Sequence, residues 1–134
     1  MAKVRSWAGL GVHARSVLAV TLDAESGELR SRRLPGETAK VVEFLATLPG
    51  PTRAAYEAGP TGYGLARALQ AAGMGCVVAA PGKIERPAQD KIKTDQRDAE
   101  RVLRLLMIDA LHAVRVPSIE EEELRDLVRP FTSR

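Results

Sequence analysis

The sequence predicts an α/β fold: a mixed sheet in which three antiparallel strands come first and parallel strands follow, flanked by helices. Three observations predict it. The opening segment holds three short runs of β-forming residues separated by turn residues. From Arg53 onward, strand-like and helix-like runs alternate, and such an order requires crossover connections and therefore parallel pairing. The helical runs carry their apolar residues on one face and stop at proline or glycine.

The first three strands fall at about 5–12, 16–23 and 28–34. Ala24-Glu25-Ser26-Gly27-Glu28 is the clearest hairpin turn, because Gly27 can take a positive φ. A first helix covers 38–48, with Val41, Val42, Leu45 and Leu48 on one face and Pro49-Gly50-Pro51 as its stop. Arg53 to Glu57 is short enough for a buried strand. Thr61 is positioned to cap a helix over about 62–72, closed by Gly73. Gly75 to Ala79 reads as a further buried strand. Pro81, Gly82 and Pro87 argue against regular structure over 80–93, and a helix follows from about 95 to 109. After the apolar stretch Leu111 to Val116, Ser118 and Glu121 have capping-box spacing, so a last helix begins at 119 and is cut short by Pro130.

Composition bounds the function. A chain of 134 residues with 45% hydrophobic content is large enough for one core, and no uninterrupted apolar run spans a membrane or marks a secretion signal. The lone Cys76 excludes an internal disulfide and fits a reducing cytoplasm. A net charge of +3 permits nucleic-acid binding without requiring it, while 4% aromatic content argues against a base-stacking platform.

The chemistry rests on carboxylates. Glu57 ends a strand, where ligands gather in open α/β sheets, although a glutamate there also reads as an ordinary surface residue. Asp95 and Asp98 are three residues apart, so their carboxylates share one side of a helix and can hold one hard cation jointly. Taken alone they read more readily as first-turn residues that complement the helix dipole behind a Thr94 N-cap. Taken with the element order, which matches a ribonuclease H-like succession, the three acids gain weight. In such folds carboxylates from the first strand, the fourth strand and the last helix bind two Mg²⁺ about 3.5–4 Å apart for phosphodiester chemistry.

Three motifs carry a family resemblance: Trp7-Ala-Gly-Leu-Gly-Val-His-Ala-Arg-Ser16, Tyr56-Glu-Ala-Gly-Pro-Thr-Gly-Tyr-Gly-Leu65 and Lys93-Thr-Asp-Gln-Arg-Asp-Ala99. They closely resemble the N-terminal RuvC-like domain of DEDD transposases from insertion sequences of the 110 family, over about residues 3–128. The resemblance implies that Glu57, Asp95 and Asp98 are the second, third and fourth acidic ligands, with Mg²⁺ as the cofactor. It also implies DNA as a partner, an RNA guide, assembly as a homo-oligomer and a second, serine-bearing domain. On this reading 1–116 form the RuvC-like domain and 117–134 a truncated helix and tail.

Two departures stand out. The family's leading aspartate maps to Gly11, which offers no ligand atom, and His13, expected on the same side as a partly buried neighbour, is a poor substitute for Mg²⁺. The chain also ends where the family's long helix continues. The expectation is a truncated, catalytically inactive transposase domain; the alternative is a non-catalytic module that binds RNA or DNA or that dimerises. Lys83, Arg86, Lys91, Lys93, Arg97 and Arg101 are the candidate nucleic-acid contacts, because cations beside an acidic site can neutralise phosphates. The glycine-rich stretch Gly59 to Gly64 matches no phosphate-loop spacing and reads as a tight turn.

Overall fold

The structure is a computed structural model that describes residues 3–81 and 91–128, apart from the side chains of 91–94 and 128. Its five strands are β1 (Ser6–Val12), β2 (Ser16–Asp23), β3 (Leu29–Pro35), β4 (Thr52–Glu57) and β5 (Gly75–Ala79). Its helices are α1 (Thr38–Ala46), α2 (Gly64–Ala71), α3 (Lys91–Met107) and α4 (Ile119–Val128). The sheet order is β3-β2-β1-β4-β5. β1, β2 and β3 pair antiparallel, while β4 joins β1 in parallel and β5 joins β4 in parallel. This is the ribonuclease H-like mixed sheet that the element order predicts.

The hairpin turn forms as its residues dictate, with Gly27 at φ 76° and its amide donating to the Asp23 carbonyl. The sheet buries both faces. On one side Ala8, Leu10, Val17, Ala19, Ala54 and Tyr56 pack against Val41 and Leu45 of α1 and Leu65 and Leu69 of α2. On the other, Leu18, Val20 and Ala55 pack against Ala99, Val102, Leu103 and Leu106 of α3. Alternation along each strand sorts these two sets, since neighbouring side chains point to opposite faces. Among the described residues no helix is long and apolar enough to cross a membrane.

Three local expectations are corrected. Thr61 does not cap α2: Gly62 sits at φ 79° in a turn, so the helix begins only at Gly64, behind Tyr63, which makes no side-chain cap. The capping comes from outside the helix. The Tyr56 hydroxyl accepts a hydrogen bond from the Ala66 amide and donates one to the Gly62 carbonyl, both at 3.2 Å. Burial around this hydroxyl pushes its pKa up to about 12, so it stays a neutral donor and acceptor.

The third helix begins at Lys91, not near 95, so residues 91–93 are helical. Lys91, Ile92 and Lys93 are tolerable helix formers with no proline or glycine among them, and nothing there stops the helix from extending backward. Thr94 is consequently an interior residue rather than an N-cap, and the first turn of α3 holds no acidic residue. The helix ends where Asp109 adopts φ 57°, a left-handed conformation that a short polar side chain tolerates.

The capping box at the start of α4 forms as expected. The Glu121 amide donates to Ser118 Oγ at 3.1 Å, and the Ser118 amide donates back to Glu121 Oε1 at 3.0 Å. Arg67 of α2 donates to the Pro117 carbonyl and to Glu122, which ties α4 to α2.

Candidate active-site cleft

At the carboxyl end of β1 and β4, a cleft of about 260 Å³ opens between the sheet and α3. Gly11, Glu57, Asp95 and Asp98 all line it, beside His13, Pro60 and Pro81. Four positions spread along the sequence thus line one cleft, placed by three elements. Gly11 precedes the last residue of β1, and Glu57 is the last residue of β4, which runs parallel to β1. Asp95 and Asp98 lie one turn apart on α3, on the face that continues into buried Ala99 and Val102. Because these aspartates are the fifth and eighth residues of α3, a first-turn capping role does not account for them.

Gly11 faces α3. A Cβ built there would meet the Asp95 carbonyl at 3.7 Å and the Ala99 and Leu18 Cβ atoms at 3.9 Å, which is ordinary contact. A side chain therefore fits at Gly11, pointing toward Asp95. Gly9, one pleat away on the same face, behaves oppositely: its Cβ would meet the Ala99 carbonyl at 2.2 Å and the Leu103 amide at 2.7 Å. Glycine at position 9 is what lets α3 lie directly on β1.

The carboxylates are met by cationic and imidazole groups of the chain itself. Arg101 donates from Nη2 to Glu57 Oε2 at 2.7 Å. His13 Nε2 lies 3.2 Å from Asp95 Oδ1, and Arg33 approaches the other oxygen at 3.9 Å. Asp95 is only 13% exposed, so these neighbours matter more to it than they would to a carboxylate in open water. The Arg101–Glu57 contact is imperfect: Arg101 Nε is buried and, among the described residues, has no hydrogen-bond partner. By contrast Arg5 grips Asp23 with two donors, at 2.8 and 3.1 Å, and that grip holds the Asp23 carboxyl far below the usual range.

Carboxylate oxygens are the hard donors that Mg²⁺ takes. As arranged, however, they do not make a complete centre. Among the described residues no three His, Cys, Asp or Glu side chains are gathered closely enough to hold a metal ion, and Gly11 adds no donor. The donor set present does not fit a two-metal site.

The sequence-predicted basic residues divide. Arg101 is engaged with Glu57, which lines the cleft, whereas Arg97 is exposed on α3. Lys83 and Arg86 lie outside the described residues, as do the side chains of Lys91 and Lys93. His13 reaches the site side as expected, but it is 45% exposed rather than partly buried, because it sits just beyond the last residue of β1. Sequence reasoning missed two contacts. Arg101 follows Asp98 by three residues, so helical spacing could have placed it on the carboxylate face. Arg33 gave no such signal, because its approach to Asp95 depends on how β3 aligns with α3.

The family description "Transposase", of the DEDD type from insertion sequence 110, matches residues 8–132. The chain belongs to the DEDD transposase family of insertion sequence 110. This transposase domain is 35% identical over 136 residues to "Transposase for insertion sequence element IS1533" of Leptospira borgpetersenii, a match covering 95% of the chain and 38% of that relative. It is 51% identical over 78 residues to "Putative transposase y4qE" of Sinorhizobium fredii, covering 58% of the chain and 20% of that relative. The chain thus spans well under half the length of these curated relatives. Among solved structures, the catalytic core domain of BIV integrase is similar at 12% identity and TM-score 0.37, covering 95% of this chain and 97% of that one.

Proposed function

We propose that this chain is a nuclease-fold transposase domain that binds nucleic acid but does not carry out metal-dependent strand cutting. Gly11 carries the reading. The family resemblance aligns it with the first acidic ligand, and it faces Asp95 with room for a side chain while supplying no donor. The pairing of Glu57 with Arg101 and of Asp95 with His13 supports it, because groups so engaged must give up those partners before ligating a cation. Glu57, Asp95 and Asp98 keep the place of the family's ligands in this reading, and Mg²⁺ belongs to family members with the full tetrad. DNA is the partner that transposition requires. A guide RNA, self-association and a cytoplasmic setting complete the picture carried by the family.

Titration of the full chain with Mn²⁺, followed by isothermal calorimetry and by nicking of a supercoiled plasmid, tests the proposal. The expected outcome is no resolvable metal binding and no nicking. In Gly11→Asp, the restored carboxylate should bring Mn²⁺ binding and a metal-dependent rise in Tm, because binding to the native state alone stabilises it. Tight binding of two metals by the unaltered chain, together with nicking, would overturn the reading.

A further inference from the structure

β3 is an edge strand, and its sequence is Leu29-Arg-Ser-Arg-Arg-Leu-Pro35. Every residue except Leu34 is exposed. Arg30, Arg32 and Arg33 fall within it and no acidic residue does. Edge strands often carry charge, lysine above all, to discourage pairing with other chains. Here the cations are arginines, whose planar guanidinium suits phosphate, and they project to both faces of the strand.

The three are individually placed. The Arg32 guanidinium lies 5.1 Å from the centre of the Phe44 ring, within cation–π reach. Arg33 donates to Ser16 Oγ at 3.0 Å and reaches toward Asp95, so it stands at the mouth of the cleft. Arg15, exposed in the turn between β1 and β2, lies beside the same end of β3, where the Gly36 amide donates to its carbonyl. Arg30 marks the far end, paired with Glu28. From Arg30 to Arg33 the strand covers about 10 Å, a length over which duplex DNA carries about six phosphate charges.

Apart from Glu28 beside Arg30 and Asp95 beside Arg33, a dense run of opposite charge lies elsewhere. α4 holds Glu120, Glu121, Glu122, Glu123 and Asp126 against a single Arg125, and it packs on α2, whose sheet contacts lie toward β5 and away from β3. An approaching polyanion is therefore repelled from α4 and attracted to β3.

We infer that the β3 edge is a docking surface for the phosphate backbone of duplex DNA, which Arg30, Arg32 and Arg33 lead toward the cleft. The inference rests on the nucleic-acid-binding reading above and adds the surface and the direction of approach. The test is fluorescence anisotropy with a labelled DNA duplex across a salt series. It compares the unaltered chain, the triple variant Arg30→Gln/Arg32→Gln/Arg33→Gln, the charge-retaining Arg30→Lys/Arg32→Lys/Arg33→Lys, and Lys40→Gln, which removes an exposed cation on α1.

In the triple glutamine variant the slope of log affinity against log salt should become shallower by about 0.9 for each phosphate no longer neutralised, with affinity down on the order of tenfold or more. The lysine variant should keep the slope, and Lys40→Gln should match the unaltered chain. An unchanged slope in the glutamine variant overturns the inference. An equal loss in Lys40→Gln also overturns it, as does a loss seen only with an RNA of equal length. If the unaltered chain binds no DNA, the broader reading falls as well; if it binds and the glutamine variant binds alike, only the β3 surface falls.

Discussion

Gly9 and Gly11 lie two residues apart on β1 and face the same helix, yet they do different jobs. At Gly9 the backbone of α3 comes so close that any Cβ would overlap the Ala99 carbonyl. At Gly11 the helix has diverged enough to leave ordinary contact distances and a cleft. The strand and α3 are therefore closed at one end of their shared seam and open at the other, and the acidic residues gather at the open end. A glycine in a strand marks either a close approach of backbones or a missing side chain, and only the second concerns chemistry.

The largest effect is expected from Gly9→Ala. The new methyl forces α3 off β1 and disturbs Leu103 and Ala99, so a loss of about 3 kcal/mol or more is expected, as for severe overpacking. Urea unfolding checks it through the midpoint; a midpoint within error of the unaltered chain would mean that α3 has slack at Gly9. Gly11→Ala sharpens the contrast with the opposite sign. The site admits a Cβ without strain, so the loss of backbone freedom in the unfolded chain should stabilise the fold by roughly 0.5–1 kcal/mol. Destabilisation in the same assay would show that the open end is as tight as the closed one.

The smallest effect lies away from the seam and sets the scale for surface electrostatics. The Arg115 guanidinium, together with the Ser118 amide, lowers the Glu121 pKa from the ordinary 4.5 to about 2. Its folded value lies below its unfolded one, so its contribution is present above about 4.5 and disappears as the pH falls through about 2. The pair lies on the surface, so the effect is small and screened by salt. Glu121→Gln should be slightly less stable than the unaltered chain at neutral pH and match it near pH 2, as followed by circular dichroism melts. A gap that persists in acid would assign the difference to capping geometry instead of charge.

Much of the fold is legible locally. The Gly27 turn, the Ser118–Glu121 capping box and the parallel arrangement after Arg53 all follow from turn chemistry, capping spacing and element order. The departures arise where a distant group supplies what the local sequence lacks. Thr61 has the look of a cap, but the Tyr56 hydroxyl on β4 performs that task for α2. Asp95 and Asp98 suggest a helix start, because acids near a helix start resemble dipole partners; α3 begins a turn earlier, and they line the cleft instead.

Residue order alone was enough for the succession of strands and helices and for the family, and it singled out Glu57, Asp95, Asp98 and Gly11 as candidates. Each of these depends on residue type and spacing within a few turns of chain. Packing in three dimensions brings those acids to one cleft, sets Arg101 and His13 against two of them, and leaves room at Gly11 where Gly9 has none. Those facts depend on how closely α3 lies on the sheet, a distance set by packing between segments some 90 residues apart in the chain, and no local pattern encodes it.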